Sequence, residues 1–348
     1  MPTQRTYLPI SGGSAWRGAS LQHSSEWLYE LNEDNVCDLD RALKLVRERG
    51  IPLEQITRDD FPLPSMEPTL DKIAHEIEYG QGFALIRGLP IARWGTALAT
   101  SAFWGLSTHL GTPATQNLGG DRMVAVRDTG ASSRDLNVRG PLTNDQLYFH
   151  SDFSDIVGLL CIQPAKEGGI SRICSSIEIF NELVQCGRTD LIDVLYDGFL
   201  FDRKGEQREG VPPVSKTLIP MLSWYENRLS FRFVPGWAKA ALLRTGKTWT
   251  PKQKEAFDEV NRITNRPDVY LDMKFKPGDV QFLNNYTVLH SRTSFVDHDE
   301  PERKRLLQRI WLRSNCGREL AEDFDRLFGD DQSTRNGIPA NNVALSNR

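Results

Sequence analysis

The sequence predicts an α+β protein: a sandwich or jelly-roll core of short strands, with flanking and inserted helices. Three observations carry this. Apolar residues at helical spacing fill the front third. Short strand-like runs then recur from Met123 to Arg313. Turn signals separate several of them, notably Glu226-Asn227-Arg228 and Pro277-Gly278-Asp279.

Leu39, Ala42, Leu43 and Val46 mark a first helix, stopped by Gly50; Leu70, Ile73, Ala74 and Ile77 mark a second, ending near Gly80. Phe83–Ile86 reads as a buried strand. Leu98, Ala102, Leu106 and Leu110 mark another helix, stopped by Gly111 and Pro113. The predicted strands are then Met123–Val126, Leu147–Asp152, Val157–Ile162, Ile170–Ser175, Leu218–Tyr225, Leu229–Phe233, Val269–Phe275, Val280–Leu283, Val288–Arg292 and Leu306–Arg313. Ser176 is expected to cap a helix over Ile177–Val184, and Thr250 followed by Pro251 opens another, with proline at the favoured first position. Glu319–Phe328 is expected to be helical, ahead of a polar, Asn-rich tail. The expected plan is one catalytic domain over 1–348: an α/β flank over 1–115, a core over 116–315 with a helical insert over about 177–265, and a C-terminal helix and tail over 316–348. Asp128–Asp145 is polar and loop-like, and its place ahead of His150 makes it a lid candidate or a plain surface loop.

The chain has 348 residues, 39% of them hydrophobic, with eight Trp and a net charge of −4. No basic stripe supports nucleic-acid binding, and no apolar run suits a membrane span. Met1–Ile10 lacks a secretory pattern, so a cytoplasmic protein is expected. A homo-oligomer is left open. Cys37, Cys161, Cys174, Cys186 and Cys316 form no C-x-x-C pair and read as buried, reduced thiols.

His150-Ser151-Asp152 is the first chemical signal. On a strand, residues two apart share a face, so His150 and Asp152 point the same way. His290, after the Pro277-Gly278-Asp279 turn, completes a three-ligand set if the fold brings the two runs together. His298 lies among acidic loop residues; His23, His75 and His109 lie outside the strand-rich part. Two His and one carboxylate with the remaining positions open favour non-haem Fe(II) oxygenase chemistry. Arg305, Leu307, Arg309, Trp311 and Arg313 share one strand face, and a buried arginine beside a metal suggests an anionic co-substrate. The same ligands could instead hold zinc for hydrolysis, which gives Arg305 no role, or the fold could be a non-catalytic binding jelly roll. No G-x-S-x-G, P-loop or G-x-G-x-x-G supports other enzyme classes.

Together these pieces resemble the TauD/TfdA-like Fe(II)- and 2-oxoglutarate-dependent dioxygenases. The likeness rests on Phe149-His150-Ser151-Asp152, Gly168-Gly169-Ile170-Ser171, Phe282-Leu283-Asn284-Asn285, His290-Ser291-Arg292, Arg305-Leu306-Leu307-Gln308-Arg309 and the front segment Gly82–Leu89, in that family's order. The resemblance implies a double-stranded β-helix core, Fe(II) held by His150, Asp152 and His290, and 2-oxoglutarate and O₂ as co-substrates. It implies that Arg305 grips the far carboxylate of 2-oxoglutarate, with Arg309 as the alternative anchor, since an insertion around Asp297–Pro301 lengthens the spacing from His290. Ser171 falls where the family carries a threonine after Gly-Gly-Asp; here Ile170 replaces the aspartate. The intact Asp152 argues for oxygenation, because relatives that halogenate have a small residue there.

By the same resemblance Arg309 can reach an anionic substrate, and Gln146 and Tyr148 lie where substrate contacts fall. Arg313 and Arg232 are further available cations, although Arg232, alternating with Phe231 and Phe233, reads rather as a solvated face. The expected substrate is a small anionic or amino-acid-like molecule. One aliphatic C–H bond is oxidised, by hydroxylation, desaturation or cyclisation, with succinate and CO₂ as co-products.

Overall fold

A computed structural model describes residues 7–131, 135, 137, 139–328 and 333–340. Two β-sheets face one another. The larger has seven strands. Its order is Leu28–Glu30, Phe83–Arg87, Val280–Asn284, Ile156–Gln163, Leu306–Ser314 and Gly111–Ala114, with Met123–Val126 also paired to Leu306–Ser314. Only the first pair is parallel. The smaller sheet runs Leu271–Met273, Ser171–Ser175, Val288–Arg292, Leu147–His150, all antiparallel. This pair of facing sheets is the jelly roll that the strand pattern predicts.

The central strands of the large sheet read as nearly unbroken apolar runs because both faces are buried. Val157, Cys161, Leu283, Leu307 and Trp311 point between the sheets. Ile156, Leu160, Ile162, Val280, Phe282, Ile310 and Leu312 point the other way, onto a second core. The helices Glu33–Glu48, Glu67–Tyr79 and Ile91–Thr108 cover that outer face with Leu39, Ile73, Phe103 and Trp104. At the Pro277-Gly278 turn, Gly278 has φ +88, and a Cβ there would lie 2.1 Å from the carbonyl oxygen of Leu89. Glycine alone suits that close approach.

Several local expectations shift. The helix after Ser171–Ser175 is capped by Ser175, whose hydroxyl accepts from the Glu178 N–H, so Ser176 is already inside it. Thr250 caps Pro251–Thr264 as expected, in a capping box with Gln253. Gly111 and Pro113, read as a stop, lie in a strand paired to Leu306–Ser314. Helices Thr189–Asp197 and Pro235–Thr245 flank the hairpin Leu222–Tyr225/Arg228–Phe231, so the inserted segment is not purely helical. Glu319–Phe328 holds only one helical turn, Glu322–Asp325. Its acidic, Gly-flanked sequence is held by Phe324 and Leu327 packing onto the core instead of by helical bonds. Cys161 and Cys174 are buried free thiols, but Cys37, Cys186 and Cys316 are exposed. The start of the Met1–Ile10 segment, part of the Asp128–Asp145 loop and most of the Asn-rich tail lie outside the described residues. No helix among the described residues is long and apolar enough to cross a membrane.

Candidate metal centre

His150 ends one strand of the small sheet, and His290 lies directly opposite it on the neighbouring strand. Their ring centroids are 4.2 Å apart. Asp152 is not on that strand, contrary to the expected period-two placement. The strand ends at His150, and the chain turns toward the large sheet at Ile156. Asn285 holds the turn. Its side-chain oxygen accepts from the Asp152 N–H at 3.0 Å, and its amide donates to the Ser154 carbonyl at 3.1 Å. The Ser151 N–H bonds to the Phe233 carbonyl at 2.9 Å. The crossover therefore aims the carboxylate back at the histidine pair. His150, Asp152 and His290 each offer one donor atom, and these atoms lie within 4.8 Å of one another.

Each side chain is set in a ligating state. The His150 Nδ1–H donates to the Tyr148 carbonyl at 2.8 Å, which leaves the Nε2 lone pair free. Burial, with His150 alongside, pushes His290 down to about 3, and burial also lowers His150. Both rings are neutral near pH 7. Burial alone would raise Asp152, but Arg309 and then the two histidines outweigh it and hold it at about 2. The indole N–H of Trp311 donates to Asp152 Oδ2 at 2.9 Å, and Arg309 Nη1 approaches both carboxylate oxygens at 3.3 and 3.4 Å. Arg309 is itself held by Gln116, through a 2.7 Å bond from Nε and a 2.8 Å bond to its carbonyl. Neutral imidazoles and an ionised carboxylate form the donor set that Fe(II) takes.

Two cavities meet at His150 and Arg309. One is small and lies between the sheets, lined by Ser171, His290, Arg292, Arg305 and Arg309. Arg305 is only 4% exposed, and its Nη1 has no hydrogen-bond partner among the described residues. Burial depresses it to about 10. Gly169 lies against it; a Cβ there would come 3.2 Å from Arg305 Nε. Ser171 donates its hydroxyl proton to Gln281 at 3.3 Å. A buried guanidinium with an orphaned donor, beside the two histidines, fits a carboxylate-bearing co-substrate. The second cavity holds about 260 Å³ and is lined by Arg139, Asp145, Gln146, Tyr148, Lys204 and Trp237, among others.

Gln146, Tyr148 and Arg309 are thus brought to the site; Arg232 and Arg313 are not. Arg232 is 2% exposed, with its guanidinium 4.2 Å above the Phe324 ring and bonded to the Phe324 carbonyl. It is a buried structural arginine, because the C-terminal segment folds over what the sequence reads as a solvated face. Arg313 lies at the far end of its strand, exposed, near Asn336 at 3.4 Å. Sequence reasoning missed Arg139, Lys204 and Trp237. Arg139 lies within the loop read as a lid; Lys204 and Trp237 carry no local signal. Arg292 was visible in His290-Ser291-Arg292 but unassigned.

This fold and ligand set define an Fe(II)- and 2-oxoglutarate-dependent dioxygenase. The model of the taurine catabolism dioxygenase TauD, TfdA family matches residues 49–311, and the chain belongs to that family. It is 30% identical to FR-33289 synthase of Streptomyces rubellomurinus (strain ATCC 31215) over 316 residues, covering 90% of this chain and 92% of the relative. It is 26% identical to the taurine hydroxylase-like protein SAT17 of Stachybotrys chartarum (strain CBS 109288 / IBT 7711) over 336 residues, covering 91% and 84%. In fold it is similar to asparagine oxygenase solved with Fe(II), 2S,3S-3-hydroxyasparagine and succinate, with TM-score 0.65, 15% identity and coverage of 82% and 94%. It is also similar in fold to the non-haem iron oxygenase OrfP with Fe and alpha-ketoglutaric acid, with TM-score 0.57, 15% identity and coverage of 83% and 94%.

Proposed function

We propose that this chain oxidises an aliphatic C–H bond of a small anionic or amino-acid-like molecule, as a single cytoplasmic catalytic domain releasing succinate and CO₂. The observation that carries this is the meeting of two cavities at His150 and Arg309. One is built for a carboxylate beside the metal ligands. The other, of about 260 Å³, is bordered by three cations, Arg139, Lys204 and Arg309, against two carboxylates, Asp145 and the metal-side Asp152. Cations focused into a cavity of this size favour a compact anionic ligand. The relatives support this reading: asparagine oxygenase and OrfP were solved with hydroxylated amino acids.

When bound, Fe(II) supplies the activation of O₂ through oxidation of 2-oxoglutarate. The chain does the rest. His150, Asp152 and His290 would hold the metal. Arg305 and Ser171 orient the co-substrate. Arg309 keeps Asp152 ionised and faces the second cavity, where Gln146 and Tyr148 bear on the substrate. Placement of the substrate C–H decides between hydroxylation, desaturation and ring closure.

The test is succinate release from 2-oxoglutarate, with Fe(II) and O₂, across a panel of small amino acids, carboxylates and sulfonates. At least one class should stimulate release well above the substrate-free rate. If the purified iron-loaded protein binds 2-oxoglutarate but no anion stimulates turnover while neutral compounds do, the substrate class is wrong.

A further inference from the structure

Arg292 stands two residues after His290 on the same strand, so both side chains point between the sheets. Its Cα partner across the ladder is Ser171. Arg292 is 4% exposed. Its Nη2 donates to the carbonyl of Thr143 at 2.8 Å and to that of Asp145. Its Nε and Nη1 have no partner among the described residues, and neither has Nη1 of Arg305. Both guanidiniums flank the Phe295 ring, at 4.7 and 5.1 Å. The Phe295 N–H in turn holds the Asn144 carbonyl at 3.1 Å. Two like charges, buried and with idle donors, thus line the one cavity that also contains His290. Such an arrangement is costly unless an anion joins it.

We propose that Arg292 is a second guanidinium on the far carboxylate of 2-oxoglutarate, and that it serves as a positioning residue tying co-substrate binding to the Thr143–Asp145 segment of the substrate cavity. This rests on the reading that Arg305 binds that carboxylate. The physical link is one side chain with two faces. The side chain lines the co-substrate cavity with two nitrogens unpartnered among the described residues, and the third nitrogen holds two carbonyls of a segment whose Thr143 and Asp145 line the neighbouring cavity. An anion that fixes the guanidinium also fixes those carbonyls.

The experiment is anaerobic titration of the Fe(II)-loaded protein, followed by its visible charge-transfer absorption, with 2-oxoglutarate and with 2-oxopentanoate, which lacks the far carboxylate. Arg292→Gln should weaken 2-oxoglutarate by roughly ten- to a hundredfold and leave 2-oxopentanoate unchanged within about twofold, as expected for a lost charged hydrogen bond. Arg292→Lys should fall between. Equal loss for both acids, or loss for neither, overturns the proposal. If the Gln variant gives no cooperative melting transition, the Lys variant carries the same selective comparison, with a few-fold effect expected and an unchanged 2-oxoglutarate affinity overturning it. Hydrogen exchange reads the coupling: 2-oxoglutarate should protect the backbone amides of residues 143–147 in the wild-type protein and not in Arg292→Gln. Protection that persists in the variant overturns the coupling. A wild-type protein with no absorption band for either acid defeats the oxygenase reading itself, a distinct outcome.

Discussion

The indole nitrogen of Trp311 donates to Oδ2 of Asp152 across 2.9 Å, joining the middle of the large sheet to the one ligand that lies on neither sheet. Trp311 is fully buried, so this bond is made without competition from water. It anchors the carboxylate oxygen that lies 3.9 Å from His290 Nε2. Trp311→Phe should keep most of the packing and lose the bond. Fe(II) affinity should fall by roughly 10- to 100-fold, as for other partners that orient metal ligands. An anaerobic Fe(II) titration checks this, and an unchanged affinity removes Trp311 from the metal site.

Asp152→Ala should abolish substrate-coupled succinate formation. Chelating the metal from the wild-type protein should leave the fold intact. The ligands decorate two apolar cores that do not depend on them. Far-ultraviolet circular dichroism at 25 °C should be unchanged, with only the loss of stability expected of a removed ligand, on the order of 3 kcal/mol at a hundredfold excess over Kd. Global unfolding on chelation would contradict this.

Arg305→Ala removes one of the buried guanidiniums that line the co-substrate cavity. The 2-oxoglutarate concentration needed for half-maximal rate should rise by roughly two orders of magnitude, the scale of truncating one member of a buried charge pair. The maximal rate at saturation should change much less. A variant with unaltered 2-oxoglutarate dependence would reassign this arginine.

Asp155 secures the C-terminal segment. Its buried carboxylate accepts from the Tyr286 hydroxyl at 2.8 Å, the Ser314 N–H at 2.9 Å and Arg335 Nε at 2.9 Å. Arg335→Ala leaves that charge without its cation, and about 3–5 kcal/mol of stability should be lost. Urea unfolding measures it; a loss below about 1 kcal/mol would mean that water reaches Asp155 freely.

His109 gives the fold a pH dependence away from the metal. Burial lowers its pKa, opposed in part by the bond it makes to the Phe61 carbonyl at 2.8 Å. The fold therefore prefers the neutral ring. As pH falls through about 6.5, the unfolded chain takes up the proton first, so stability present above that value is lost toward lower pH. In His109→Gln the melting temperature should fall less steeply than in the wild-type protein between about pH 7 and pH 5. Parallel slopes would place the acid sensitivity elsewhere.

Much of the site was legible in the chain because it is written in local patterns. The strand bearing His290 and the row Arg305, Leu307, Arg309, Trp311 follow from period-two reading; His150-Ser151-Asp152 was visible as a motif, but the strand that carries His150 ends there and does not include Asp152. The sharp turn at Asp152 was not legible, because it is imposed by Asn285, distant in sequence, from the turn between Val280–Asn284 and Val288–Arg292. The fate of the arginines was not legible either. Arg309 turned onto Asp152, Arg232 disappeared beneath Phe324, and Arg313 stayed outside.

By itself the sequence determined which residues could ligate a metal, where most core strands and the Thr250 helix cap fall, and that Leu307, Arg309 and Trp311 share a strand face. These depend on backbone periodicity and on the nature of each side chain. Only the tertiary structure decided that His150 lies opposite His290, that Arg292 and Arg305 line one cavity, and that Arg139 and Lys204 border the second. Register between distant strands and the burial of charge are properties of the assembled core. A cation's role depends on which anions and which solvent the rest of the chain leaves within its reach.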